Sequence, residues 1–330
     1  MDPKVEFGET VMRPGLIWAC TASAGGTAMV DGDEPPDDCA FRWLHLNLAD
    51  QRTQRWLERS HLVPPAIERL FLSQEQHPRM AVEGGAICLV LYDFERDFDR
   101  LDTGRIGALH IAVGPGLILT GRYHPLHTAD ILRQRIAGGA TVAGAEAGLE
   151  LILDGLADTV ATRVLDVSTE LLAAEDDLLA GESAPDTREL VGVRRLCTQL
   201  ARINAGTRAV IQRLAADPEL PRTLRPAIER SGQRLASLDG DIAAAQAQLR
   251  LLRDELDLQA AQRTNRNLYV LSIMTALMMP ATLVTGFFGM NTGGLPFEHP
   301  ASGTLIAAVL AIASSLGTYL ALRMMGFVRQ

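Results

Sequence analysis

The 330-residue sequence is short of several things, and each shortage removes a class of function. Lysine occurs once, at Lys4, and the formal charge is −9, with 31 basic against 40 acidic side chains. A surface that neutralises phosphates needs clustered positive charge, so no nucleic-acid partner is expected. No run of five like charges marks a disordered tail. Cysteine is sparse: Cys20, Cys39, Cys88 and Cys197 show no CxxC spacing. That argues against a zinc cluster or disulfide framework and for buried thiols in a reducing compartment. A P-loop, GxSxG, HExxH and a strand-borne GxGxxG are all missing, so neither an enzyme nor an ATP-driven pump is indicated. The N-terminal stretch MDPKVEFGET has no apolar core and does not read as a signal peptide, which places the start of the chain on the cytoplasmic side.

Charge is also absent from two long runs near the C-terminus. Residues 268–288, LYVLSIMTALMMPATLVTGFF, carry none over 21 positions, and residues 304–322, TLIAAVLAIASSLGTYLAL, none over 19. At about 1.5 Å rise per residue, either helix crosses a hydrocarbon core of roughly 30 Å. Arg263 and Arg266 precede the first run, Arg323 and Arg329 follow the second, and the loop between them has no basic residue. By the positive-inside rule both ends face the cytoplasm and the loop faces outside.

The body before these runs reads as α+β. Over 1–140, apolar β-rich runs occur at 15–20, 27–31, 41–48, 86–94, 106–113 and 117–122, with helical stretches at 50–60 and 64–73. Gly-Gly at 25–26 and 84–85 and Gly-Pro-Gly at 114–116 mark turns, and 106–122 reads as a hairpin. From about 141 to 267 the pattern is helical. Leu149, Ile152, Leu156, Val160, Val164, Val167 and Leu171 recur at steps of three and four. A break at 181–185 starts a second helix over 186–216. A third carries Leu235, Leu238, Ile242, Ala245, Leu249, Leu252 and Leu256, and nothing decisive separates it from the first apolar run. From 235 to 288 that helix extends on the order of 80 Å.

Along one face of this helix lie Asn265, Leu268, Ser272, Thr275, Met279, Thr282 and Gly286, while Val270, Ile273, Leu277 and Leu283 occupy others. Such a stripe is either glue between membrane helices or the wall of a water-filled path, with Leu268 as a hydrophobic constriction. Two spans enclose no pore, so a path requires several copies around an axis. Pro280 is tolerated because neighbours or water satisfy the carbonyl it frees.

After the first run comes Gly289-Met290-Asn291, then a loop 289–303 with Glu298 and His299 and little else that is charged. Glycine lets backbones approach an axis, and a ring of Asn291 amide oxygens suits a hard cation held through its water shell. Glu298 and His299 either attract an entering cation or form a solvated turn. His124 and His127, split by Pro125, read as a loop pair without partners for a metal. Glu175, Asp176 and Asp177, and Asp254, Glu255 and Asp257, read as solvated helix faces; only in a funnel would they also raise the cation concentration inside its vestibule.

Two C-terminal spans, a Gly-Met-Asn signature after an aromatic residue (Phe288) and a large N-terminal body together resemble the CorA family of divalent-cation transporters, over essentially the whole chain. The resemblance implies a funnel-shaped homopentamer in the bacterial inner membrane, surrounded by lipid. It implies that the first span lines the pore, the second stands outside it, and Gly289, Met290 and Asn291 form the outer selecting ring. No covalently bound cofactor is implied, only a transported divalent cation. The loop departs from the magnesium-type pattern: Thr292-Gly293-Gly294-Leu295-Pro296 is similar to the ZntB branch, whereas Met290 is CorA-like. Zinc is the first expectation, with a Mg²⁺ (Co²⁺/Ni²⁺) channel or a membrane-anchored metal sensor as alternatives. The expected division is 1–140 cytoplasmic domain, 141–267 stalk, 268–288 pore helix, 289–303 outer loop, 304–322 second span and 323–330 cytoplasmic tail.

Overall fold

A computed structural model describes residues 15–23, 26–30, 39–96, 105–180, 187–290 and 303–327. Gly25, the break at 181–185, Asn291 to Pro296, Glu298, His299 and Arg329 lie outside the described residues. The chain divides into two compact units, Met1–Leu252 and Arg253–Gln330.

The first unit is built on a seven-stranded mixed sheet. Its strands are β1 (Leu16–Ser23), β2 (Gly26–Val30), β3 (Phe41–Asn47), β4 (Arg79–Glu83), β5 (Ala86–Phe94), β6 (Ile106–Gly114) and β7 (Leu117–Arg122), in the order β2-β1-β3-β7-β6-β5-β4. Only β3 and β7 run parallel; β6 and β7 form the expected hairpin. Its turn uses Gly116 at φ +66°, and a Cβ there would lie 2.8 Å from the Ala40 carbonyl oxygen, so glycine is required twice over. Central strands β5, β6 and β7 are buried almost throughout, as a sheet covered on both faces demands.

Alternation along β3 assigns the faces. Leu44, Leu46 and Leu48 pack with Leu57 of α1 (Gln51–Ser60) and Ile67 and Phe71 of α2 (Pro65–Phe71). On the opposite face Trp43 donates its indole N–H to Thr120 Oγ1 at 2.9 Å, and His45 Nδ1 meets the same oxygen at 2.9 Å. That face is covered by α4 (Ala145–Ala180), whose Gly148 lies against Ile118, and by α3 (His127–Ala137). The α3 N-terminus has no cap of its own. Asp93, fully buried at the end of β5, accepts the Thr128 N–H at 3.0 Å and the Thr128 hydroxyl at 2.8 Å. Burial pushes the Asp93 carboxyl up to about 7, against the pull of these bonds.

Two elements differ from the sequence reading. The segment 79–83 pairs as β4, and 127–137 forms α3, so His127 opens a helix instead of closing a loop pair. His127 is held below its usual range by burial and by nearby Arg163 and Arg96, surroundings unsuited to a cation ligand.

The expected long helices are present as α4, α5 (Thr187–Ala216) and α6 (Arg225–Phe288), the last an unbroken 64 residues or about 96 Å. Pro226 falls in its first turn, where a missing N–H costs nothing. Within the first unit α6 buries Leu235, Leu238, Ile242, Ala245, Leu249 and Leu252. An ion-pair ladder accompanies this stripe: Arg230 with Glu150 (2.8 Å), and Arg234 with Asp154 (2.9 Å) and Asp158, which also binds Arg135 of α3 (2.7 Å).

Candidate ion pathway

In the second unit the apolar part of α6 packs on α7 (Gly303–Met324). The half-buried positions of α6 here are Ile273, Ala276, Leu277, Pro280, Ala281, Val284 and Phe288, which share one side of the helix. On α7 the buried and half-buried positions include the small Ala307, Ala311, Ser314, Ser315 and Thr318 together with Ile306, Tyr319 and Leu322. Ser315 donates its hydroxyl to the Leu277 carbonyl at 3.0 Å. Small residues at the seam let the two backbones approach, as membrane helix pairs require. A core helix of a soluble protein would bury its apolar window, whereas that of α6 is 0% buried and that of α7 is 6% buried. Both helices are long and apolar enough to cross a bilayer.

All seven stripe residues from Asn265 to Gly286 are exposed, on the side of α6 turned away from α7; Leu268 is 57% and Met279 66% exposed. The structure therefore brings the row together on one surface and leaves it free of its own second span. Three hydroxyls in the row share one geometry. Ser272 donates to the Leu268 carbonyl at 2.8 Å, Thr275 to Leu271 at 2.9 Å and Thr282 to Met278 at 2.9 Å. With the proton turned back onto the helix, each oxygen offers only lone pairs outward. An acceptor row of this kind suits the outward-pointing hydrogens of water bound to a cation, and no charged side chain competes for the ion.

At the end of α6 the Gly289 N–H returns to the Thr285 carbonyl at 2.9 Å. A Cβ at 289 would stand 2.9 Å from that same oxygen, so glycine permits the tight close of the helix. Met290 follows, half exposed. Asn291, the expected metal ligand, and Glu298 and His299 lie outside the described residues. Among the described residues no group of three His, Cys, Asp or Glu is placed to hold a metal ion. Glu175, Asp176, Asp177, Asp254, Glu255 and Asp257 are all solvent-exposed, as expected of solvated helix faces. Sequence reasoning missed the hydroxyl geometry, because a bond to the i−4 carbonyl depends on the rotamer and leaves no trace in spacing.

A mixed-sheet body joined through one long helix to a pair of apolar C-terminal helices defines a membrane-protein class. Residues 38–323 match the family described as CorA-like Mg2+ transporter protein, and the chain belongs to that family. The zinc transport protein ZntB of Yersinia pseudotuberculosis is 26% identical over 299 residues, covering 87% of this chain and 88% of that one. Two solved structures share the fold. The CorA magnesium transporter from Methanocaldococcus jannaschii superposes with a TM-score of 0.77 at 17% identity, over 94% of this chain and 98% of its own. Full-length CmaX gives 0.73 at 22% identity, over 94% and 97%. A family of transporters agrees with the missing enzyme motifs.

Proposed function

We propose that this chain conducts a divalent cation, Zn²⁺ first, across a bacterial inner membrane through a path lined by α6 in a homopentamer. The observation that carries the reading is the exposed row from Asn265 to Gly286, polar or thioether for most of its length and facing away from α7. Five copies are what the family resemblance implies, and the row supplies one wall per copy. Lipid surrounds α7, and both termini stand on the cytoplasmic side with the 289–303 loop outside. In this arrangement 1–140 and 141–267 form the cytoplasmic body and stalk. Gly289, Met290 and Asn291 close the outer mouth, where Glu298 and His299 draw the cation in. Zinc is favoured by the ZntB relative and by the Thr292–Pro296 loop. Magnesium is the second reading, favoured by Met290 and by the description of the family. In the absence of a nucleotide motif, passage follows the electrochemical gradient.

Liposomes holding the purified protein are expected to take up Zn²⁺, and Asn291→Ala to abolish uptake. Uptake of Mg²⁺ without Zn²⁺ assigns the second reading, and absence of uptake for any divalent cation overturns both. The same assay under an imposed proton gradient tests coupling.

A further inference from the structure

Away from the apolar helices, one recess of the first unit collects positive charge. It lies where β5 and the start of β6 meet α5, has a volume of about 440 Å³, and is lined by Arg105, Arg195 and Arg202 with His77, Tyr92 and Glu95. In a chain of net charge −9, three guanidiniums against one carboxylate among the described residues reverse the local sign. Neither Arg105 nor Arg195 is paired with an acid among the described residues.

Tyr92 organises the recess. It is 7% exposed, and its ring fits against α5 because residue 206 is glycine: a Cβ there would stand 3.1 Å from the ring carbons. The phenol oxygen accepts from Arg202 Nη2 at 3.3 Å and stands 3.4 Å from His77 Nδ1. The Arg202 guanidinium also lies over the Tyr92 ring, 5.3 Å from its centroid. Arg202 is thus positioned before any ligand arrives, with one N–H used on the hydroxyl and its other donors unspent among the described residues. A pre-positioned fork loses less side-chain freedom on binding than a free one.

We propose that this recess binds the phosphate group of a small molecule, either free phosphate or a phosphate ester such as a nucleotide, with Arg105, Arg195 and Arg202 as its ligands. Forked guanidiniums match the oxygens of phosphate, whose double negative charge balances the local excess of two positive charges. The volume accommodates more than a bare anion, with room for an organic portion beside His77. Because Arg195 and Arg202 belong to α5 and Arg105 precedes β6, a bound phosphate ties that helix to the sheet.

The test is calorimetric titration of the full-length protein in detergent with inorganic phosphate, ADP and ATP, in about 0.15 M chloride. EDTA is included so that metal–nucleotide complexes contribute nothing. Saturable binding of at least one ligand is expected, weakened about tenfold or more by the R195Q/R202Q double substitution. Arg105→Gln, on the other wall, is expected to weaken it separately, and Tyr92→Phe, which keeps the ring but releases Arg202, by several-fold. Equal affinity for phosphate and nucleotides assigns the free anion, and tighter nucleotide binding assigns the ester. No saturable binding by the unaltered protein overturns the proposal, as does undiminished affinity in R105Q together with the double variant.

Discussion

Asp93 shows how far a single residue can set the behaviour of its surroundings. Its carboxyl titrates near 7 in the folded chain against about 4 when unfolded, so the folded state holds a proton that the unfolded state has lost between those values. The stability this group contributes is therefore complete below about pH 4 and is lost as pH rises through about 7. Asp93→Asn is expected to flatten that part of the thermal-midpoint profile of the purified protein. At acid pH the protonated carboxyl and the amide each offer one carbonyl oxygen to Thr128, so the two proteins should differ there by no more than about 1 kcal/mol, and the unaltered protein should lose stability relative to the variant as pH rises. A profile equally steep in both proteins would remove Asp93 from the pH response. On α6, Thr275→Val keeps the shape but deletes an outward acceptor, and is expected to slow cation flux several-fold. Thr285→Val is the control: its hydroxyl bonds to the Thr282 carbonyl from outside the row, and flux should be unchanged.

At the scale of elements, the ladder between α4 and α6 makes a specific energetic claim. Arg234 bridges Asp154 and Asp158 with its side chain 39% exposed, so water and salt screen the pairs and each is worth little alone. Arg234→Gln is expected to cost about 1 kcal/mol, less at high salt. Combined with Arg135→Gln the effects should not add, because both arginines share Asp158; chemical denaturation of the two singles and the double measures this. The long helices were legible because their apolar spacing repeats over many turns. β4 was not: its five residues, Arg79 to Glu83, are all half-buried and carry no alternation to read. α3 escaped because its cap comes from Asp93, 35 positions earlier, where no local start signal reveals it. The phosphate recess was illegible for a similar reason, since Arg105, Arg195 and Arg202 meet only once α5 lies on the sheet.

For the whole molecule, the testable statement is topological. With Glu298→Cys and Met325→Cys introduced singly into a chain whose own four cysteines are replaced, a membrane-impermeant thiol reagent applied to intact spheroplasts should label position 298. Position 325 should react only after permeabilisation. The opposite pattern would invert the orientation that the arginine flanks indicate. The back-bonded hydroxyls of Ser272, Thr275 and Thr282 bear on coupling as well. Relay of protons by hopping needs links that both give and receive, and these three have committed their hydrogens to the backbone. On the proposed path these hydroxyls would leave a co-transported proton to travel through water, so proton and metal would share one water column in place of two separate routes.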